Sequence, residues 1–259
     1  MKLTTLIENT TRIPGLTPEH GLSLFVEAAG HTFLFDTGAS GAFADNAARL
    51  GVDLNKAEFA VLSHGHYDHC GGLRQFLERN DHASVYANRN CFDYCHSPIG
   101  KHLGLAPELT AGGRVIPTGD VYSIAPGLTL YTCNDRPQRA DPFGMTWMVD
   151  GRMVPDDFRH EHYLLIEENG KRILLSGCSH KGIVNIVRWF QPDILVGGFH
   201  FKSLPIDDPR LRQWGESLAA SGTVFYTGHC TGQAQFDALK PILGDNLHAI
   251  STGSVTVIP

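Results

Sequence analysis

The sequence predicts a layered α/β (α+β) fold. Two observations carry this: short apolar runs recur, each followed by a turn and then an amphipathic segment, and several of those runs end in a loop that bears histidine. A third concerns organisation. No low-complexity linker divides the 259 residues, so one domain over 1–259 is expected, with an irregular insertion at about 88–160.

Taken in order, Met1-Lys2-Leu3-Thr4-Thr5-Leu6-Ile7 reads as a first strand rather than a charged start with an apolar cleavable core. Residues 22–26 and 32–35 flank a turn at Ala29-Gly30-His31, the pattern of a hairpin that ends in Asp36-Thr37-Gly38. Residues 42–50 are helix-like and stop before Gly51. Residues 59–63 suit a buried strand. It leads into Ser63-His64-Gly65-His66-Tyr67-Asp68-His69-Cys70-Gly71-Gly72, and 73–77 looks like the start of a helix. Residues 83–86 are a further strand.

Prolines and glycines punctuate 88–160, leaving short strands at 114–116 and 128–131. A stretch of this kind could cover a site and shape a pocket. Regular order returns with a hairpin over 163–167 and 172–176, turning at Asn169-Gly170 and ending in Gly177-Cys178-Ser179-His180. A helix at 183–190 precedes a strand at 193–196 that ends in Gly197-Gly198-Phe199-His200. A helix at 209–220 precedes a strand at 223–226 that ends in Thr227-Gly228-His229-Cys230-Thr231-Gly232. Thr231 could cap the helix that follows over 236–243, which Pro241 interrupts.

Composition narrows the function classes. At 42% hydrophobic and 19% charged, the chain can bury a substantial core. A formal net charge of -6 makes a nucleic-acid backbone a poor general partner. No apolar run approaches the roughly 18 residues of a membrane helix. Six cysteines in a chain this long are not a disulfide framework, and Cys70 and Cys178 sit within polar motifs. A reducing, cytoplasmic setting is expected.

His64, His66, Asp68 and His69 place four metal-capable side chains within six residues. Imidazole and carboxylate are the ligands that zinc, iron and manganese accept. Two histidines two apart could chelate one ion. Asp68 and His69 would face a neighbouring point, so the spacing suggests two ions. A solvated polar loop is the bland alternative, and four such side chains in this order speak against it.

The stretch resembles the signature of the metallo-β-lactamase fold superfamily in its strand, motif and following Gly-Gly. Gly177-Cys178-Ser179-His180, Gly197-Gly198-Phe199-His200, Gly228-His229-Cys230-Thr231-Gly232 and His20-Gly21-Leu22-Ser23-Leu24 resemble a narrower branch. That branch is the 7,8-dihydropterin-6-yl-methyl-4-(β-D-ribofuranosyl)aminobenzene-5'-phosphate synthase-like one. The resemblance covers most of the chain and is weak over 88–160.

It implies a four-layer αββα sandwich with a dinuclear site. His64, His66 and His180 would hold the first ion; Asp68, His69 and a last histidine the second. His229 or His200 supplies that last ligand, and the other contacts substrate or acts as an acid. Cys178 stands where much of the superfamily has a Gly-Asp carboxylate, so it is a thiolate bridge or a small buried residue. Asp36, in the superfamily's Asp-x-Gly turn, would orient the loop by hydrogen bonds. His20 would lie near the site or at the surface. Glu161 fits the branch's acidic residue before the hairpin. His160 and His162 flank it as weaker candidate ligands, and a solvated turn explains Asp156 and Asp157. Cys91, Cys95 and His96 read better as a packed segment than as a metal cluster, because structural zinc needs four clustered ligands.

The expected function is metal-assisted hydrolysis of an ester, phosphoester, thioester or amide in a small-molecule substrate. Two divalent transition-metal ions would serve it, zinc first, with iron or manganese as alternatives. Asp68 would bind metal and orient the water. Ser63 and Ser179 lack a partner set for a triad. The narrower resemblance implies an alternative, transfer of a dihydropterin-methyl group with release of diphosphate. Lys181, at an expected helix start, would then contact phosphate, with Arg136 and Arg139 as weaker candidates. Tyr67, Phe92, Tyr94, Phe143 and Trp147 could stack a pterin. A non-catalytic metal-binding or sensing protein is the third reading.

Overall fold

The structure, a computed structural model, describes residues 1–92, 105, 107–137, 146–149 and 152–258; of 146–149 and Met153 it describes the backbone. The first half supplies strands β1 (Lys2–Ile7), β2 (Ser23–Ala28), β3 (His31–Phe35), β4 (Phe59–Leu62), β5 (Ser84–Asn88) and β6 (Val115–Thr118). Helices α1 (Ala42–Leu50), α2 (Tyr67–Cys70) and α3 (Leu73–Arg79) lie between them. Next come β7 (Val121–Ala125), β8 (Leu128–Tyr131), β9 (Thr146–Val149), β10 (Arg152–Pro155), β11 (Tyr163–Glu168) and β12 (Lys171–Leu175). The chain closes with α4 (Ile183–Phe190), β13 (Ile194–Val196), α5 (Pro209–Ala219), β14 (Val224–Thr227), α6 (Gln233–Leu243), β15 (Leu247–Ala249) and β16 (Val255–Val257).

Two seven-stranded mixed sheets result, ordered β16-β1-β2-β3-β4-β5-β6 and β15-β14-β13-β12-β11-β8-β7. In each, antiparallel hairpin strands lead into a parallel run, β3 to β6 in one and β12 to β15 in the other. Period-two alternation sorts the side chains into layers. Phe33 and Phe35 of β3 join Leu164 and Ile166 of β11 and Ile173 and Leu175 of β12 in a core between the sheets. Leu34 faces a second core with Phe43 and Phe76 of the first helix layer. Tyr163, Leu165 and Leu174 face a third with Ile186, Leu218 and Leu239 of the second. These three cores make the expected αββα sandwich.

Local chemistry sets the ends of the elements. Asn169-Gly170 turns the β11–β12 hairpin with both residues at positive φ, 53° and 74°, as its tight primed turn requires. Asp208 accepts the Arg210 N–H, and Pro209 opens α5. Helix α6 begins at Gln233, earlier than the sequence predicts, and Thr231 does not cap it. Its hydroxyl instead accepts the Phe199 N–H and pairs with Thr227. Pro241 stays inside α6, near its C-terminal end, at the cost of the one hydrogen bond its nitrogen cannot donate to the preceding turn.

The described parts of 88–160 are more regular than their prolines suggest. Pro117 lies in β6, an edge strand of the first sheet, where a missing N–H can face away from its neighbour. Pro126 lies between β7 and β8, which complete the second sheet. Those strands belong to the sandwich rather than to an addition upon it. No described helix is long and apolar enough to cross a membrane.

Leu164 is fully buried between the sheets. Leu164→Ala should cost about 2–5 kcal/mol of stability by opening a cavity. Urea unfolding should show a lower midpoint with an unchanged slope.

Candidate metal centre

The site lies beyond the carboxyl ends of β4, β12, β13 and β14, where open α/β sheets bind ligands. After β4, His66 is extended (φ −77°, ψ 143°) and α2 starts at Tyr67, so Asp68 and His69 occupy one short turn. Gly71 and Gly72 let that turn close against the 37–40 segment. A Cβ on either would come within 2.3 Å of a backbone oxygen, that of Ala39 or of Thr37. The Thr37 N–H donates to the His69 carbonyl and the Leu22 N–H to that of Asp68.

Asp36 organises this loop from beneath. It has no exposed surface and accepts three hydrogen bonds: from Ser63 N (2.7 Å), Ser63 Oγ (2.8 Å) and His69 Nδ1 (2.7 Å). The Ser63 hydroxyl also meets His64 Nδ1 at 2.9 Å. With its proton given to Asp36, Ser63 accepts from His64 Nδ1–H. Both histidines then carry hydrogen on Nδ1 and turn Nε2 inward, bare on the neutral His64.

Two trios of donor atoms meet inside. His64 Nε2 is 3.1 Å from His66 Nδ1 and 3.2 Å from His180 Nε2. His69 Nε2 is 3.2 Å from His229 Nε2, and Asp68 Oδ2 is 3.4 Å from His229 Nε2 and 4.0 Å from His69 Nε2. Ligands about 2.0–2.1 Å from a tetrahedral zinc stand about 3.3–3.4 Å apart, close to the His64–His66, His64–His180, His69–His229 and Asp68–His229 spacings. Cys178 Sγ lies 3.1 Å from His69 Nε2 and within 4.8 Å of donor atoms from both sets. His180 Nδ1 is buried without a hydrogen-bond partner.

Other side chains hold these donors in place. The His229 N–H donates to Glu8 Oε1 at 2.6 Å, and His229 Nδ1 meets Asn9 Oδ1 at 2.9 Å. Asn9 also donates to the His229 carbonyl, so it grips both ring and backbone. Asp36, Ser179, His200 and His229 follow β3, β12, β13 and β14, and all four have φ between 51° and 60°. Such left-handed backbone is uncommon for residues other than glycine.

Burial tunes protonation. It pushes His64, His66 and His180 below their ordinary 6.5, with repulsion among the clustered rings adding to it; His66 falls to about 3. Burial acts downward on His69 too, but the charge and hydrogen bond of Asp36 override it and raise His69 to about 9. Burial would raise Asp68, yet hydrogen bonding to His229 and the charge of His69 hold its carboxyl well below the usual range.

The structure separates several sequence expectations. His229 meets His69 and Asp68; His200 lies elsewhere on the cavity floor, its ring 4.3 Å from that of His180. His20 does lie at the site, 3.4 Å from Asp68. Lys181 does not reach the cavity. It is 1% exposed, and its ammonium donates to Thr132 O, Asn134 Oδ1 and Glu161 O, which uses all three hydrogens. Glu161 accepts the His180 and Lys181 N–H groups and the Tyr163 hydroxyl, so it orders the His180 loop from behind.

His162 bonds the Leu62 carbonyl and Thr118 and is structural. His160 takes the Gly65 N–H on Nδ1 and turns Nε2 to Asp156, whose side chain is 7% exposed rather than solvated. Asp157 is half-exposed and paired with Arg159. Arg136 packs on α4 instead of at the cavity, through Trp189 O and the Phe190 ring. Phe92 and Cys91 belong to the first helix-layer core. Tyr94, Cys95, His96, Arg139 and Phe143 lie outside the described residues, as does the side chain of Trp147.

The cavity over these donors has a volume of about 470 Å³. Tyr67, Lys202, Ser203 and Cys230 line it beside the histidines. Sequence reasoning singled out neither Lys202 nor Cys230 as functional. Cys230 stood inside the Gly-His-Cys-Thr-Gly motif and could have been noticed; Lys202, Glu8 and Asn9 carried no local signal.

Residues 16–204, most of the chain, match the metallo-beta-lactamase superfamily. The chain belongs to that superfamily. Among curated relatives from Methanocaldococcus jannaschii, a 7,8-dihydropterin-6-methyl-4-(beta-D-ribofuranosyl)-aminobenzene-5'-phosphate synthase is 29% identical over 245 residues, 83% of this chain and 81% of its own. An uncharacterised protein is 27% identical over 226 residues, 83% and 84%. The crystal structure of a metal-dependent hydrolase of the beta-lactamase superfamily superposes with a TM-score of 0.81 at 25% identity, covering 100% of this chain and 99% of its own. Zinc-bound PqqB from Methylobacterium extorquens shares the fold, with a TM-score of 0.57 at 14% identity over 100% of both chains.

Metal-free protein should be sensitive to acid. His66 and His162, the latter pushed to about 4 by burial, titrate below the ordinary 6.5 in the folded chain. The unfolded chain therefore takes up protons first as pH falls. The stability these rings confer is present above 6.5 and lost as pH drops towards 4 for His162 and 3 for His66. Each contributes about 1.4 kcal/mol per pH unit in its window. Urea midpoints in chelator should fall between pH 7 and pH 5, and His162→Gln should flatten that slope.

Proposed function

We propose that this superfamily member is a metal-dependent hydrolase acting on an ester, phosphoester or related bond of a small molecule. The observation that carries this reading is the pair of donor trios, His64/His66/His180 and Asp68/His69/His229, with Cys178 between them on the floor of an open cavity. The donor set suits zinc, with iron or manganese as alternatives. Two such ions would lower the pKa of a shared water and polarise the bond under attack.

The chain's own residues do the rest. Burial keeps His64, His66 and His180 neutral at physiological pH, with lone pairs available. Asp36 holds His64, through Ser63, and His69 in the tautomer that turns Nε2 inward. Asp68 stays ionised and faces the cavity, where its carboxylate can orient a water. His20 and Lys202 put imidazole and ammonium groups at the wall, which suits a substrate carrying an anionic group.

A second reading keeps the same residues and replaces water by a carbon nucleophile, so that a dihydropterin-methyl group is transferred and diphosphate leaves. The likeness to the archaeal synthase supports it.

The deciding experiment is turnover by metal-replete protein. Phosphodiesters and esters are offered in one arm, a dihydropterin-methyl diphosphate with an aromatic ribosyl phosphate in the other. Hydrolysis in the first arm is expected; condensation in the second with no hydrolysis in the first would replace the hydrolase reading by the transferase one. Asp68→Asn should lower kcat about a hundredfold or more. His64→Ala and His180→Ala should each lose bound metal together with activity. Full metal retention in His180→Ala would remove that residue from the ligand set.

A further inference from the structure

Another set of donors lies on the same cavity floor. Cys178 follows β12, His200 follows β13 and Cys230 follows β14, so three neighbouring parallel strands each deliver one. One donor atom from each, two sulfurs and an imidazole nitrogen, lie within 4.8 Å of one another. His200 Nδ1 is buried and has no hydrogen-bond partner. Cys230 Sγ reaches the Cys178 carbonyl at 3.6 Å, a weak bond for a thiol, and its side-chain partners are the Cys178 sulfur and the His200 ring. The backbone also leaves room for this sulfur: a Cβ on Gly198 would stand 2.2 Å from Cys230 Sγ.

We propose that Cys178, His200 and Cys230 form a third cation position, built for a thiophilic ion of the zinc type. The trios on either side offer nitrogen and oxygen, whereas this set offers two sulfurs and one nitrogen, and thiolates favour softer ions. A thiolate has lone pairs enough to face more than one ion, so Cys178 serves as the shared corner of all three positions. Binding a divalent ion here forms two metal–sulfur bonds and one metal–nitrogen bond. Two thiol protons pass to solvent, so uptake strengthens as pH rises. The inference rests on the reading of this cavity as a metal centre, although its donors are largely its own.

The test loads metal-free, fully reduced protein with cobalt(II) or zinc(II), removes excess, and counts ions by elemental analysis. About three per chain are expected in the unmodified protein and about two in both Cys230→Ser and His200→Ala, with a weaker thiolate-to-cobalt charge-transfer band in Cys230→Ser. Zinc should also slow alkylation of Cys230 in the unmodified chain, read by peptide mass spectrometry, which decides the matter if Cys230→Ser does not fold. The same ion count in the unmodified protein and both variants, or Cys230 alkylation indifferent to zinc, would overturn the proposal. His64→Ala separates the two readings. Zinc protection of Cys230 that persists when that variant has lost its ion keeps this position apart from the first trio. Protection with no ion count dependent on His64, His180 or His69 would leave this proposal standing and remove the two-trio centre.

Discussion

One buried carboxylate governs the centre. Asp36 lies where β3 ends, has no contact with water, and spends its lone pairs on Ser63 and His69. A carboxyl group buried in such a place is tolerable only when fully hydrogen-bonded. Its partners are the residues that must be aimed. One link fixes His69 directly; the other runs through the Ser63 hydroxyl to His64. A single side chain thereby sets one ring in each trio and ties the end of β3 to the loop after β4.

The sandwich does the corresponding work at larger scale. The first trio takes His64 and His66 from the first sheet and His180 from the second; the other takes Asp68 and His69 from the first and His229 from the second. Neither sheet can assemble a trio alone. The register between them is held by the apolar layer of Phe33, Phe35, Leu164, Ile166, Ile173 and Leu175. Close packing of this kind transmits small displacements, so the inter-sheet core is part of the site's precision.

The sequence made the strand ends legible because period-two alternation, turn glycines and histidine-bearing motifs coincide there. Helix α1, strand β8 and helix α4 have the bounds expected from pattern alone. Lys181 misled because a lysine at a helix start suggests an exposed cation. Its actual partners, Thr132, Asn134 and Glu161, come from distant chain segments that no local pattern links to it. Lys202 and Asn9 were silent for the same reason. The described parts of 88–160 misled because proline reads as irregularity, although on an edge strand, as at Pro117, or in a turn, as at Pro126, it is compatible with a sheet.

The positive φ angles at Asp36, Ser179, His200 and His229 carry a consequence for how this chain can change. Each residue pays a steric cost, about 1–3 kcal/mol, that glycine would avoid. At Asp36 the hydrogen bonds to Ser63 and His69 oppose a change to glycine, but His200, whose Nδ1 has no hydrogen-bond partner, is not held in that way, and selection for robustness alone would favour glycine there. Stability and chemistry pull in opposite directions at that position. A stabilised descendant of this protein is best sought in the helix layers, where the two demands do not compete.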